Sequence, residues 1–227
     1  VDILWGFKSD GLYQTKEELA MAPKSAYKDA QLGDIRYIDI NGDGWLDEND
    51  RVEVGRSTTP EMMFAFSGDM NWKGLDFSFQ FQGAALCDKF LSHRWGNNVE
   101  DNTPLTRPWY GGWDNAPLYL VEGSWRPDNP NAEFPRLSSS PISNNCLASY
   151  YWKKNGAYLR LKNITLGYTL PKKWTKKALV ENLRFYVSGN NLFTFTEFKY
   201  LDPESPNVIN GYYPQQRTVA FGVDVTF

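Results

Sequence analysis

The sequence predicts an all-β protein whose strands cross a membrane as part of a transmembrane antiparallel β-barrel. Three observations carry this reading. Five segments alternate apolar and polar residues with period two, the signature of strands with one greasy and one wet face. The connections between them run short, long, short, long, the rhythm of a barrel with tight periplasmic turns and large extracellular loops. The last segment, Arg217–Phe227, sets Val219, Phe221, Val223, Val225 and Phe227 against Thr218, Ala220, Gly222, Asp224 and Thr226, and ends on an aromatic. An aromatic at the end of a closing strand suits the girdle at a membrane rim.

In chain order, Val1 opens directly into a strand-like segment with no signal peptide, so the chain is expected to be mature or a fragment. Lys16–Met21 is the best helical pattern, and a short one; Gly33–Ile38 reads as extended. The next twelve residues fit a calcium loop. Asp39, Asn41, Asp43, Asp47 and Asp50 occupy positions 1, 3, 5, 9 and 12, Trp45 offers its backbone carbonyl at position 7, and Gly44 makes the sharp turn at position 6. A hard cation needs six to eight oxygens, and this spacing wraps them round one centre. Asp50 stands where a bidentate Glu is usual, which points to modest affinity and a structural role. Asp/Asn/Gly-rich turns also form without metal.

The strands follow. Met62, Phe64, Phe66, Gly68, Met70 and Trp72 form one face of the first, and Met63, Ala65, Ser67, Asp69 and Asn71 the other. Lys73-Gly74 is a hairpin turn. Leu75, Phe77, Phe79 and Phe81 then oppose Asp76, Ser78, Gln80 and Gln82. After a loop from 86 to 157, Tyr158–Leu170 presents Ile164, Leu166, Tyr168 and Leu170, with Leu159 and Leu161 out of phase. A bulge near Lys162-Asn163, or a strand rising above the membrane, accounts for the slip. Leu183, Phe185, Val187, Phe193 and Phe195 form the apolar side of the fourth strand, against Arg184, Tyr186, Ser188 and Asn190. The division that results is 1–61, a strand end plus an extracellular segment with the calcium-type loop 39–50, and 62–227, the C-terminal part of a barrel with the long extracellular loop 86–157.

Composition narrows the function. Net charge is -3 with no basic cluster, which argues against nucleic acid. Mean hydropathy is negative and no apolar run is long enough for a membrane helix, but alternating barrel strands average out in this way. Five or six strands cannot close a wide barrel, and lipid does not tolerate an open sheet edge; the chain is therefore expected to be one piece of a larger barrel. Cys87 and Cys146 leave a disulfide open, and His93 reads as a loop residue. No GxSxG, HExxH or phosphate-binding glycine loop is present, and the chain is not expected to be an enzyme.

The segment Tyr151–Pro171, YWKKNGAYLRLKNITLGYTLP, closely resembles the C-terminal barrel region of SusC/RagA-type TonB-dependent outer-membrane transporters. In the same order, so do Gly33–Gly55, the strand pair around Lys73-Gly74 with Phe81–Ala84, Leu183–Thr196, Leu201–Glu204 and Gly211–Phe227. The match is weakest over 92–145. The resemblance implies the last strands of a 22-stranded barrel in the outer membrane of a Gram-negative bacterium. It also implies import of large nutrients, typically oligosaccharides and sometimes peptides, under a SusD-like surface lipoprotein. TonB would act through an N-terminal region that this sequence does not contain, and Phe227 fits the barrel-assembly signal.

Aromatics in the long loop, Trp95, Trp109, Tyr110, Trp113 and Trp125, are candidates for stacking on sugar rings, with Arg94, Arg107, Asp114 and Asn115 interleaved. The plainer account packs each of them onto the loop itself or the lipoprotein. Asp69, Gln80, Gln82, Arg184 and Asn190 face the barrel lumen, while Trp72, Tyr168 and Trp174 suit the membrane rim. The alternatives are a soluble, calcium-stabilised β-sheet module that binds carbohydrate, and a surface whose main task is to dock a lipoprotein.

Overall fold

A computed structural model describes residues 4–27, 30–91, 118–138, 142–176, 179–205 and 215–227. The strands, in chain order, are β1 (Leu4–Phe7), β2 (Ser9–Leu12), β3 (Lys24–Ser25), β4 (Ile35–Tyr37), β5 (Trp45–Leu46), β6 (Arg51–Gly55), β7 (Met62–Trp72), β8 (Leu75–Ala85), β9 (Asp88–Phe90), β10 (Lys153–Asn155), β11 (Tyr158–Thr169), β12 (Asn182–Thr196) and β13 (Thr218–Thr226). Short helices are α1 (Lys16–Ala20), α2 (Leu118–Glu122) and α3 (Lys172–Thr175). None is long and apolar enough to cross a membrane.

By contact, the chain divides into two compact units. One gathers described residues of 1–59 and 88–155; the other gathers those of 60–87, 156–205 and 215–227. The sequence reading ends its first segment at 61 and gives the loop 86–157 to the strands. The loop's described residues from 88 to 155 pack instead with 1–59, because they carry much of that unit's buried apolar surface.

The first unit is built from short strands around an aromatic core. Phe7 packs against Tyr27 and Tyr37 at ring distances of 5.5 and 5.6 Å, and Trp152 lies against Phe134 and Tyr151. Strands this short cannot hold themselves by backbone pairing, so side chains complete the ladders. In the 3₁₀ turn Ser143–Cys146, Asn145 Oδ1 accepts from the Ile35 N–H at 2.9 Å and Asn144 donates to the Ile35 carbonyl at 3.1 Å, so two amides stand in for a neighbouring strand. The Asn145 amide also donates to Asp34, and its backbone carbonyl accepts from the Trp152 indole. Asp34 is fully buried, with Arg136 Nε 2.7 Å from its carboxylate. The predicted helix appears as α1, set by a capping box in which Thr15 and Glu18 satisfy each other's backbone N–H groups. Cys146 lies buried in this unit.

The second unit is one antiparallel sheet of five strands in the order β13-β12-β11-β8-β7. The hairpin between β7 and β8 turns on Lys73 and Gly74, at φ 49° and 91°, both in the left-handed region that a two-residue turn of this kind requires. Its strands are nine to fifteen residues long, enough to span a bilayer core at a tilt. Register aligns the faces across all five. Met70, Phe77, Leu166, Val187 and Phe221 stand in one row, and Trp72, Leu75, Tyr168, Phe185 and Val223 in the next. On the other face, the row between them is Asn71, Asp76, Gly167, Tyr186 and Gly222, and beyond the Met70 row come Asp69, Ser78, Thr165, Ser188 and Ala220, then Ser67, Gln80, Asn163, Asn190 and Thr218.

The phase slip in β11 is a bulge at Lys162. It returns Leu161 to the row of Phe81 and Phe193, and Leu159 to the row of Gly83 and Phe195. Of the two accounts the sequence allowed, the bulge is the one the chain uses. The apolar face is open: Phe221 and Phe227 are 84% and 86% exposed, and Met70, Trp72, Leu166, Phe185 and Val223 are exposed with them.

Candidate functional site

The polar face of the second unit carries the chemistry. At the end near the Lys73-Gly74 turn, Arg184 on β12 reaches across β11 to Asp76 on β8 through two bonds, Nε–Oδ1 at 2.9 Å and Nη2–Oδ2 at 2.6 Å. Its third nitrogen meets Asp224 on β13 at 2.9 Å. One guanidinium thus ties three strands and spans a fourth, β11. The crossing is open only because β11 has Gly167 there: a Cβ would lie 2.5 Å from Asp76 Oδ1 and 2.7 Å from Arg184 Nε. Gly222 serves Tyr186 in the same way, leaving room for the ring beneath the Arg184 guanidinium. All three charges are partly exposed, so the pair energies are small and the geometric tie matters more. Mid-sheet, Asn163 donates to Gln80 and Asn190 to Thr218.

At the other end of the same face, Arg160 of β11 bonds Thr194 Oγ1 at 2.9 Å and Asp202 at 2.6 Å, and lies 3.2 Å from Glu204. Lys162, the bulge residue, reaches Glu204 at 2.7 Å. Asp202 also accepts the backbone N–H groups of Glu204 and Gln215. Burial acts to raise the Asp202 pKa, but the bonds from Arg160 and the two amides outweigh it and hold the carboxyl below the usual range.

In the first unit, the loop 39–50 uses its oxygens on its own backbone. Asp39 accepts from Gly42 and Gly44 at 2.6 and 2.8 Å, Asn41 from Asp43, Asp43 from Trp45, and Asp47 from Asn49. Asp50 is fully buried and takes the N–H groups of Ile40 and Asp47 at 2.8 and 2.9 Å, closing the loop. Strands flank the loop, β4 before it and β6 after, so no helix pair is present to act as a sensor switch. Among the described residues, no group of three or more His, Cys, Asp and Glu is gathered to hold a metal ion. The donor set is nonetheless all oxygen, which suits a hard cation, and Gly42 and Gly44 take φ values of 75° and 83° that the tight winding needs. Beside the loop, burial and then Glu48 push the Tyr27 hydroxyl up to about 12.

Of the stacking candidates, Trp95, Trp109, Tyr110 and Trp113 lie outside the described residues, as do Arg94, Arg107, Asp114 and Asn115. Trp125 is described. Its indole N–H donates to Gln14 at 2.9 Å and its ring lies where a Cβ on Gly33 would stand. Trp72, Tyr168 and Trp174 are exposed, with the Lys73 ammonium 4.9 Å from the Trp72 ring. Sequence reasoning singled out Arg184 but not its partners, nor Arg160 with Asp202. Glycine at 167 in an otherwise alternating strand was the available signal for the first.

No family model matches the chain. Among curated proteins it is 30% identical to TonB-dependent receptor P26 of Formosa agariphila, over 100% of this chain and 23% of that protein. The chain is a homologue of the TonB-dependent receptors. TonB-dependent receptor P3 of the same organism is 28% identical over 98% of the chain, and TonB-dependent receptor SusC of Bacteroides thetaiotaomicron 26% over 84%. The homologue spans only 17–23% of the length of these receptors. Among solved structures, the RagAB peptide transporter superposes with a TM-score of 0.66 at 21% identity, over 100% of this chain and 23% of that one. The fold of this TonB-dependent receptor homologue is therefore that of a β-barrel segment.

Proposed function

We propose that this chain is the C-terminal barrel portion of a TonB-dependent outer-membrane transporter that imports large nutrients together with a SusD-like surface lipoprotein. The carrying observation is the two-faced sheet. One face carries exposed Phe, Leu, Val, Met and Trp side chains, and the other is polar and cross-linked by ions. Water would oppose such an apolar face, whereas lipid accepts it and a lumen accepts the polar one. The same exposure speaks against the soluble carbohydrate-binding module. Lipoprotein docking as the main task finds no specific support among the described residues.

The decisive experiment is the intact mass of the native protein in detergent extracts of outer membranes. A mass several times 26.1 kDa with these residues inside it is expected; a 26.1 kDa protein in the soluble fraction overturns the reading. For cargo we favour oligosaccharides, on the aromatic-rich loop. The match to a structure described as a peptide transporter favours peptides as the second reading. Growth of a deletion strain on defined oligosaccharides and on defined peptides as sole nutrient separates the two.

We further propose that Asp39, Asn41, Asp43, Asp47 and Asp50, with the Trp45 carbonyl, hold a structural calcium ion. Calcium would supply charge that fixes the loop, without chemistry of its own. Support comes from the oxygen donor set and the wound loop. Terbium luminescence excited through Trp45 is expected to saturate and to be displaced by calcium. Asp39→Ala combined with Asp43→Ala should abolish it, and absence of saturable emission in the wild type would overturn the site.

A further inference from the structure

Residues 197–205 begin the connection from β12 to β13, and their path is unexpected. They do not simply lead from one strand to its neighbour. Asp202 and Glu204 are bound to Arg160 and Lys162 of β11, the strand on the far side of β12. Register places Arg160 opposite Gln82 and Thr194, on the polar face. The segment must therefore fold back over that face. Burial agrees. The Arg160 side chain is 4% exposed and Asp202 10%, while Asn163 and Asn190, one row further along, are exposed. Phe198 is buried, with Tyr200 edge-on to it at 5.7 Å, and Pro203 and Ser205 are buried too.

The bulge supplies the cations. An unbulged β11 would turn Arg160 to the apolar face and set Leu161 beside the acids; one extra residue at Lys162 keeps Arg160 on the polar side, and Lys162 itself reaches Glu204. Two cations and two carboxylates then balance, and Asp202 takes two further backbone N–H groups. A buried charge network of this kind holds one geometry, because each partner's loss strands a charge.

We propose that residues 197–205 form a fixed strap, locked by Arg160 and Lys162, that covers the Gln82–Arg160–Thr194 row of the polar face. Its consequence for cargo, a narrowed passage at the end of the sheet away from the Lys73-Gly74 turn, rests on the transporter reading; the strap itself does not. Hydrogen exchange on the full-length protein in detergent tests it. Amides of 198–205 should exchange slowly in the wild type, and at least tenfold faster in Asp202→Asn/Glu204→Gln, with β11 and β12 unchanged. Lys162→Met, which loosens only the Glu204 half, gives a smaller rise and serves if the double variant does not assemble. Free-chain exchange of 198–205 in the wild type would overturn the strap. So would an equal quickening through β11 and β12, since the charges would then be part of the sheet's own stability. The readout needs no cargo, so failure of the transporter reading would show separately in the mass and uptake measurements.

Discussion

The two units treat the same residue types in opposite ways. Phe7, Phe134 and Trp152 of the first unit are hidden by protein, whereas Phe221, Phe195 and Trp72 of the second stand open on the sheet. The first pattern is the ordinary hydrophobic effect, with short strands wrapped round an aromatic core. The second is stable only where the surroundings are themselves apolar. Polar groups are inverted as well: Asp34 and Asn145 are buried to complete backbone ladders, while Asp76 and Arg184 lie partly exposed on the wet face. The difference teaches that solvent, more than composition, decides what each unit's aromatics contribute.

The sharpest way to break the contrast is to insert one residue between Asn163 and Ile164. With the bulge kept, the strand above it would invert, sending Arg160 to the apolar face and Leu161 to the polar one, and assembly of the full-length barrel should fail in a heat-modifiability gel. Next, Trp152→Ala removes a core ring that is 1% exposed; loss of about 3–5 kcal/mol is expected from the unfolding of the first unit. Phe221→Arg, at a mid-sheet row, should cost about 2–4 kcal/mol in lipid vesicles, while Ala220→Arg on the polar face stays near neutral. Equal costs at 220 and 221 would erase the two-faced reading. Gly167→Ala should cost about 1–3 kcal/mol by crowding Asp76 and Arg184 apart, with thermal stability as the measure.

The smallest effect is one of pH. Asp202 has a folded pKa below its ordinary 3.8, so its contribution is present above that value and is lost as pH falls through the lower, folded one. Hydrogen exchange of 198–205 should thus hold steady from pH 8 to 5, after correction for intrinsic rates, and rise only below about pH 4. The groups around Asp202 are Arg160, Lys162, Glu204 and Tyr158.

Much of the fold was legible in the sequence, and for a physical reason. The long strands need two different solvents on their two faces, so alternation is written at every position from Met62 to Trp72 and from Thr218 to Phe227. The hairpin at Lys73-Gly74 is as local, since two adjacent left-handed residues set it. The bulge was half legible: the slip of Leu159 and Leu161 was visible, but pairing with Phe81 and Phe193 was needed to choose between its two explanations. The loop 39–50 was recognisable because its oxygens bond within twelve residues.

The remaining contacts are long in sequence and short in space. Asn145 meets Ile35 across 110 positions, and Arg184 meets Asp76 across 108. No periodicity records such contacts, because each depends on where strands far apart along the chain come to lie together. The packing of 88–155 with 1–59 and the lock of Asp202 on Arg160 are of the same kind. Local alternation could say which face each strand shows, but strand order was needed to say which charges those faces bring together.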